Sequence, residues 1–382
     1  MSARPTIALA MIVKDEAHVI RRCLDSVLPV IDRWAVVDTG STDGTQAVVR
    51  EHLAHLPGTF AERPWVDFAA NRNESLDLAR ATGADYALVI DADDVLELDD
   101  DAIMPSANAP AYWCAISAGC TRLARIQMVR LDLPWQYVEP VHEHLVLPLP
   151  DGAPAVPVPG LAGWSMRTLR DGARWRARAA ALERDAAVLE DALAAAPEDA
   201  RSAFYLGQTL TQLGRLDDAR ASYQAAAALP GPDEQRFHAL LAAGRVEARL
   251  GLASEAAISL REASVLRPWR AEPVVELARL ANAEGRHGPA LALLEGIAPV
   301  PPALQHGVWI DEDAWGASRL GELAVALHGS GDAHGAIAAA KACLDDDDAP
   351  PEAAARAAQV VAAVLAGGTI RVVASPGELR AA

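Results

Sequence analysis

The sequence is poor in cysteine, in basic side chains and in long apolar runs. Its four cysteines show no metal-ligand spacing, so we expect reduced, partly buried thiols. Lysine and arginine together number 34 against 52 acidic residues, a formal net charge of -18, which argues against broad contact with the phosphates of a nucleic acid. The chain does not open on a basic-then-apolar signal and lacks a long uncharged apolar run, so we expect a cytoplasmic protein without a transmembrane segment.

The chain is long enough for two domains, and its character changes between its halves. At 382 residues, each half could bury a full core. The first half alternates apolar runs with charged loops, whereas the second half is rich in alanine and in repeated helical patterns. We therefore place the first domain at residues 1–175 and the second at residues 176–382.

The strongest chemical signal is an apolar run at residues 86–90 that ends in three carboxylates, Asp91, Asp93 and Asp94. The run predicts a strand that is buried on both faces, as in a sheet covered by helices. Because side chains alternate along an extended chain, Asp91 and Asp93 leave it on the same side. Two hard oxygen ligands at the carboxyl end of a strand suit Mg²⁺ or Mn²⁺ bound to a substrate phosphate, at the edge where open α/β sheets bind ligands. The alternative is an acidic loop that binds nothing.

The segments before this strand predict an α/β fold. Apolar runs indicate strands and helical spacing indicates helices, with the two earlier strands at residues 6–13 and 34–37 and the helices at residues 17–27, 46–56 and 68–81. The order is β-α-β-α-α-β, which implies a mostly parallel sheet.

Four short motifs in this half occur in a fixed order, MIVKDE, VDTGSTDGT, FAANRNESLDLA and LVIDADD. Together they resemble the family 2 glycosyltransferases, and the resemblance covers residues 6–147. It looks closest to a bacterial subgroup that joins this domain to tetratricopeptide repeats, a subgroup that the peptide S-glycosyltransferases of bacteriocin precursors also resemble. The resemblance implies a GT-A fold, which is a Rossmann-like mixed sheet that binds a nucleotide-sugar.

The resemblance also implies donor-binding roles for particular residues. Lys14 and Glu16, after the first strand, would border the base and ribose of the nucleotide. Asp38 would accept hydrogen bonds from the nucleotide, with turn stabilisation as the alternative. Asp91 would contact the nucleotide-sugar. Arg72 would contact the diphosphate, or it would pair with an acidic residue on its own helix face, Glu74 or Asp77.

The stretch at residues 135–145 resembles the family pattern Trp-x-Tyr-x-Gly-x-x-His-Glu. Glu139 takes the position where relatives usually have glycine, so the local backbone could differ. If the stretch is a strand, His142 and His144 share one face and Glu143 points to the other. Each histidine has a purely structural role as its alternative.

An inverting sugar transfer needs a base for the acceptor proton and a metal ion for the leaving diphosphate. We take Glu143 as the candidate base. The candidate metal ligands are Asp91 and Asp93, with His142 as a candidate third ligand.

The second half contains a repeated pattern of small and large residues that is typical of tetratricopeptide repeats. Four glycines fall where the first helix of each helix pair must end, and glycine tolerates the left-handed conformation needed there: Gly214, Gly251, Gly285 and Gly331. A helix at residues 178–196 would precede the repeats and one at residues 352–365 would close them. Such an all-α solenoid has a concave face that usually holds a peptide or protein, with dimerisation as the alternative role.

The sequence therefore predicts a metal-dependent inverting glycosyltransferase with a nucleotide-diphosphate sugar donor, UDP by analogy, and a peptide or protein acceptor held by the repeats. Two alternatives stay open. Residues 91–95 also fit a D-x-D-x-V phosphatase motif, although that motif usually follows a first strand. The other alternative is a repeat scaffold with an inactive glycosyltransferase-like domain, against which the intact Asp91 and Asp93 argue.

Overall fold

A computed structural model of the chain describes residues 4–150, 156–305 and 307–368. The chain divides into two compact units. The first, which we call the sheet unit, reaches Ala118 and continues with Arg122–Ala181 and Leu304–Trp309. The second, the helical unit, consists mainly of Leu182–Ala303 and the residues from Ile310 onward.

The sheet unit is built around a mixed sheet. Its strands are β1 (Ile7–Val13), β2 (Arg33–Asp38), β3 (Gly58–Glu62), β4 (Tyr86–Val89), β5 (Asp94–Leu98), β6 (Ala111–Ala118), β7 (Thr121–Arg130), β8 (Gln136–Val138), β9 (His144–Val146) and β10 (Gly160–Thr168). Its helices are α1 (Ile20–Val27), α2 (Thr45–His52), α3 (Phe68–Ala81) and α4 (Ala173–Arg176). The main sheet has the order β3-β2-β1-β4-β7-β6-β10-β5, and β8 and β9 form a separate antiparallel hairpin.

The first four strands are parallel, and three of them, β1, β2 and β4, are strands that the sequence predicts. β1 pairs in parallel with β2 and β4, and β2 with β3, whereas β7 is antiparallel to β4. The sequence did not predict β3, because this edge strand is mostly exposed and only Ala61 in it is buried. An edge strand that lacks a buried face carries no apolar alternation that a sequence pattern could reveal.

Both faces of the parallel strands are buried, which explains their unbroken apolar runs. One face carries large side chains, such as Leu9 and Leu88, that pack in one cluster with Leu24 of α1. The opposite face carries small ones, such as Ala10, that pack with Leu76 of α3. Small residues on that face let α3 lie close to the sheet.

The helical unit consists of successive helix pairs, as the sequence predicts. Its helices are α5 (Arg178–Ala195), α6 (Ala200–Leu213), α7 (Leu216–Ala228), α8 (Asp233–Arg249), α9 (Ala253–Leu266), α10 (Glu272–Ala283), α11 (His287–Glu295), α12 (Ala317–Gly329), α13 (Ala333–Leu344) and α14 (Pro351–Ala366). A short strand β11 (Trp309–Asp311) and a 3₁₀ turn (Glu312–Ala314) lie between α11 and α12. The glycines that follow the first helix of each pair all have left-handed backbones, with φ of 78° at Gly214, 77° at Gly251, 72° at Gly285 and 91° at Gly331.

Small residues let the two helices of a pair interlock. A Cβ added to Gly207 of α6 would lie 2.7 Å from Cδ1 of Tyr223 on α7. A Cβ added to Gly244 of α8 would lie 2.6 Å from Cγ of Leu260 on α9. This small-against-large contact confirms the predicted tetratricopeptide pattern. Within the part of the chain that the structure describes, no helix is both long and apolar enough to cross a membrane.

Candidate functional site

Three neighbouring parallel strands end at one edge of the main sheet, which we call the carboxyl edge. Lys14 directly follows β1 and is exposed, and Glu16 lies two residues further along. Asp38 is the last residue of β2, and Asp91 follows the end of β4. Because adjacent parallel strands end side by side, the topology gathers these four predicted donor-site residues at one edge.

Arg72 of α3 joins two acidic residues that are far apart in the sequence. Its Nη2 donates to Oδ1 of Asp91 at 2.6 Å, and its Nε donates to Oε1 of Glu143 at 2.7 Å. The residue is only 6% exposed, and its guanidinium carbon lies 5.5 Å from the ring centroid of Tyr137. The acids expected on its own helix face, Glu74 and Asp77, are therefore not its principal partners.

The charge of Arg72 acts directly on Asp91. Burial alone would raise the pKa of Asp91, but the charge of Arg72, together with those of Arg125 and Arg174, brings that pKa below its ordinary value. Asp91 is therefore held as a carboxylate. Because Glu143 shares the same guanidinium, one positive charge faces two carboxylates at this point.

Asp93 and Glu16 converge on a second point of the carboxyl edge, beside the N-terminal end of α4. A Cβ added to Gly172 would lie 3.0 Å from Oδ2 of Asp93 and 3.1 Å from Oε2 of Glu16, and the Ala173 N–H donates to Oε1 of Glu16 at 3.1 Å. Burial raises the pKa of Glu16 to about 7, with the Ala173 N–H opposing and the charge of Asp93 adding to the rise. Burial and the charge of Asp91 raise the pKa of Asp93.

Gly172 and Ala173 contact the candidate site, and the sequence did not reveal these contacts. They follow β10 and are far from Glu16 and Asp93 in the chain, so no local motif connects them. Their role in the structure is to bring backbone N–H groups to the two carboxylates.

The carboxylates at this edge fit a divalent cation. Asp91 and Asp93 offer hard oxygen donors, and burial together with the charge of Asp91 raises the pKa of Asp93, so a bound cation would stabilise its carboxylate form. Among the described residues, no three His, Cys, Asp or Glu side chains are grouped so that they could hold a metal ion. That agrees with the usual habit of Mg²⁺, which takes one or two carboxylates and completes its shell with waters and substrate phosphates. The role of His142 as a third ligand stays a prediction.

Asp94 is a further buried carboxylate beside this pair. Burial and the charge of Asp91 raise its pKa to about 7, with a hydrogen bond from Thr168 opposing the rise. Its Oδ1 has no hydrogen-bond partner in the described structure. The acidic character of the edge therefore extends beyond Asp91 and Asp93.

Asp38 stabilises the turn after β2 with one carboxylate oxygen and leaves the other without a partner in the described structure. Its Oδ1 accepts from the N–H of Gly40 at 3.0 Å and of Ser41 at 2.9 Å, so this oxygen stabilises the turn after β2. The residue is 1% exposed, and its buried Oδ2 has no partner in the described structure. An unsatisfied buried acceptor is costly, and a donor group of a ligand would satisfy it.

The hairpin of β8 and β9 carries Glu143 in its loop, at residues 139–143. The alternative in which His142 and His144 lie on one face of a single strand is wrong, because only His144 lies in a strand. The backbone is left-handed at Glu139 (φ 74°) and at His142 (φ 54°). The glycine usual in relatives at position 139 is thus a signal for this conformation, which Glu139 retains at a cost in strain.

A family model matches part of the sheet unit. Residues 9–104 match the family model described as Glycosyl transferase family 2, which confirms the resemblance read from the motifs. The matched range contains Lys14, Asp38, Arg72, Asp91 and Asp93 but not Glu143.

A TPR repeat-containing protein of Synechococcus elongatus is 36% identical in an alignment of 238 residues, and the alignment covers 57% of this chain and 56% of that protein. The chain thus spans about half the length of this curated relative. Among solved structures, MamA is 17% identical with a TM-score of 0.36, over 46% of this chain and 93% of that chain. YrrB, described as a TPR protein with an unusual peptide-binding site, is 15% identical with a TM-score of 0.36, over 48% of this chain and 86% of that chain.

Proposed function

We propose that the sheet unit is a metal-dependent inverting glycosyltransferase that takes a sugar from a nucleotide-diphosphate donor. The observation that supports this most is the grouping of Asp91 and Glu143 around Arg72, with Asp93 two residues further along the chain, in a unit whose residues 9–104 match the family 2 model. A donor with a charged diphosphate needs carboxylates that hold a cation, and an acceptor hydroxyl or thiol needs a carboxylate that takes its proton. Both kinds of group must lie within one site.

The residues at the ends of β1 and β2 would bind the nucleotide. The buried Oδ2 of Asp38 would accept a hydrogen bond from an N–H or hydroxyl of the nucleotide. Lys14 and Glu16 would border the base and ribose. UDP is the first nucleotide to test, by analogy with relatives.

The cation would be Mg²⁺ or Mn²⁺, held by Asp91 and Asp93. When bound, it neutralises the charge that develops on the leaving diphosphate. His142, the proposed third ligand, would have to join Asp91 and Asp93 when the cation binds, since no such group of three is formed among the described residues.

Glu143 would take the proton of the acceptor. Its Oε1 is held by Arg72, so Oε2 is the oxygen that would accept this proton. A fixed carboxylate beside the donor site suits a single displacement, in which the acceptor attacks opposite the leaving diphosphate and the anomeric configuration inverts.

The helical unit would hold the acceptor, a peptide or a protein. Stacked helix pairs form extended surfaces that suit such partners. The second candidate function is a repeat scaffold with an inactive first unit, which the name of the Synechococcus relative favours because it mentions only the repeats. The phosphatase alternative is disfavoured, because its motif usually follows a first strand, whereas β1, β2 and β3 all precede the strand that Asp91 follows.

The test is a panel of nucleotide-sugars assayed with and without Mn²⁺, with nucleotide release and thermal midpoint as the two measurements. A true donor present at a hundred times its dissociation constant should stabilise the protein by about 2.7 kcal/mol. A phosphatase would instead hydrolyse p-nitrophenyl phosphate. If no donor in the panel binds or turns over, and Mn²⁺ changes neither measurement, the enzyme proposal fails and the scaffold function is favoured.

A further inference from the structure

Arg72 contacts both the proposed cation site and the proposed general base. It donates 2.6 Å to Asp91, which belongs to the proposed cation site, and 2.7 Å to Glu143, the proposed base. Its side chain is 8% exposed, so water competes poorly with either carboxylate. One buried guanidinium therefore joins the donor side of the site to the acceptor side.

A divalent cation at Asp91 would compete with this guanidinium. Both are positive groups that need the same carboxylate, and Arg72 already neutralises Asp91 in the protein. A cation that ligates Asp91 weakens the ion pair between Arg72 and Asp91. The guanidinium then has Glu143 as its remaining anionic partner, and a charged pair of this kind has strict geometry.

We propose that Arg72 is a positioning residue that gives up Asp91 to the cation and thereby couples occupation of the donor site to the orientation of Glu143. This inference rests on the proposed function, because it needs a cation at Asp91 and Asp93. It departs from the sequence prediction that Arg72 contacts the diphosphate. Arg72 acts through the two carboxylates instead.

The first test measures Mn²⁺ affinity of the full chain by titration, with and without saturating UDP. Arg72→Met removes the competing charge, so the affinity for Mn²⁺ should rise about threefold or more. Arg72→Lys keeps the charge but not the two separate donors of the guanidinium, so its affinity for Mn²⁺ should lie between those of wild type and Arg72→Met. Arg125→Met is the matched control, since Arg125 acts on Asp91 only from a distance and bonds Gln127 at 3.2 Å, so its effect should be smaller.

The second test keeps Arg72 and changes its other partner, which protects the experiment if Arg72→Met fails to fold. Glu143→Gln leaves Asp91 as the main anion for the guanidinium, so Mn²⁺ should bind about threefold or more weakly, although Glu143 is not a proposed ligand. In the Arg72→Met background the same change should have a much smaller effect. That difference separates competition through Arg72 from the general loss of a negative charge.

The outcomes distinguish this inference from the function on which it rests. A rise in Mn²⁺ affinity in Arg72→Met and a fall in Glu143→Gln support the inference that Arg72 gives up Asp91 to the cation. Wild-type affinity for Mn²⁺ in both variants overturns the inference but is compatible with the cation site. The same holds if Glu143→Gln lowers the affinity equally in the wild-type and Arg72→Met backgrounds. If the wild-type chain binds no Mn²⁺ even with UDP, both the inference and the metal-dependent function are wrong.

Discussion

Asn73 and Tyr137 are joined by two hydrogen bonds that run in opposite directions. Asn73 Nδ2 donates to the carbonyl oxygen of Tyr137 at 2.9 Å, and the N–H of Tyr137 donates to Asn73 Oδ1 at 2.7 Å. The side-chain amide thus pairs with the backbone of β8 as a neighbouring strand would. Arg72 directly precedes Asn73 on α3. The contact between Asn73 and β8 therefore helps to bring Glu143, which lies in the loop after β8, within hydrogen-bonding distance of Arg72.

Replacing Asp93 with asparagine should abolish Mn²⁺-dependent nucleotide binding while the protein stays folded. The change removes an anionic ligand, and it also removes the repulsion from Asp91 that helps raise the pKa of Asp93, so stability should not fall. Titration of UDP with and without Mn²⁺, together with the thermal midpoint, checks both statements. The exposed Asp101→Asn is the control. Wild-type dependence on Mn²⁺ in Asp93→Asn would refute the cation site.

Replacing Glu143 with glutamine should keep donor binding and lower the rate of transfer about 10²-fold or more, as loss of a general base does. The measurement is kcat for transfer to a true acceptor, with donor affinity measured in parallel. An unchanged kcat would move the base elsewhere. Asp94 would be next, since burial raises its pKa to about 7, and Glu97, which is paired with Arg167, would follow.

The sequence predicts the fold of this chain well because its signals are local. Buried parallel strands show as apolar runs, and a helix that must reverse its chain shows as a glycine at a fixed place, as at Gly214. The edge strand β3 has neither signal. Its position depends on β2, with which it pairs along its whole length, and no pattern within residues 58–62 encodes that pairing.

The site is predicted only in part, because its decisive contacts join distant residues. Asp91 is visible as a carboxylate after a buried strand. Its ion pair with Arg72 spans 19 residues, and that between Arg72 and Glu143 spans 71. Local reasoning therefore finds the charged residues at the carboxyl edge but cannot determine which of them neutralise each other.

Replacing Glu139 with glycine should stabilise the sheet unit. Glu139 has a φ of 74°, and a left-handed backbone costs a side-chain-bearing residue about 1–2 kcal/mol, a cost that glycine avoids. Glu139→Ala is the matched control, because it removes the carboxylate but keeps the Cβ. We expect glycine to exceed alanine by about 1 kcal/mol in the free energy of unfolding. Equal stability of the two variants would show that the backbone at residue 139 is not strained.

Replacing Gly207 with alanine should destabilise the helical unit by about 1–3 kcal/mol, since overpacking forces neighbours apart. The new Cβ would lie 2.7 Å from the Tyr223 ring, a distance that real contacts do not reach. Gly288→Ala is the control, because nothing lies within 4 Å of a Cβ there. In α11 that control should be neutral or stabilising by up to about 1 kcal/mol. Urea unfolding measures the change in the free energy of unfolding in both variants. Equal changes would mean that α6 and α7 are not closely packed at Gly207.

Glu234 on α8 should make the helical unit sensitive to acid. Burial alone would raise its pKa, but hydrogen bonding with His238 and the charge of Arg270, together with Arg267, lower that pKa to about 2. Arg270 Nη1 donates to Oε1 of Glu234 at 2.5 Å, and the side chain of Glu234 is 18% exposed. The folded protein therefore holds this carboxylate ionised far below its ordinary pKa of 4.5.

The sign of the effect follows from the lowered pKa. Above pH 4.5 the stabilisation by Glu234 is fully present. As the pH falls from 4.5 toward 2, this residue is protonated in the unfolded chain but stays ionised in the folded chain, so the stabilisation is lost. Glu234→Gln should therefore cost about 1–3 kcal/mol near neutral pH, and its difference from wild type should shrink between about pH 5 and pH 3. Urea unfolding at a series of pH values measures both curves, with Asp233→Asn, whose side chain is 64% exposed, as the control. A difference that stays constant with pH would show that Glu234 stabilises the unit by packing and not by its charge.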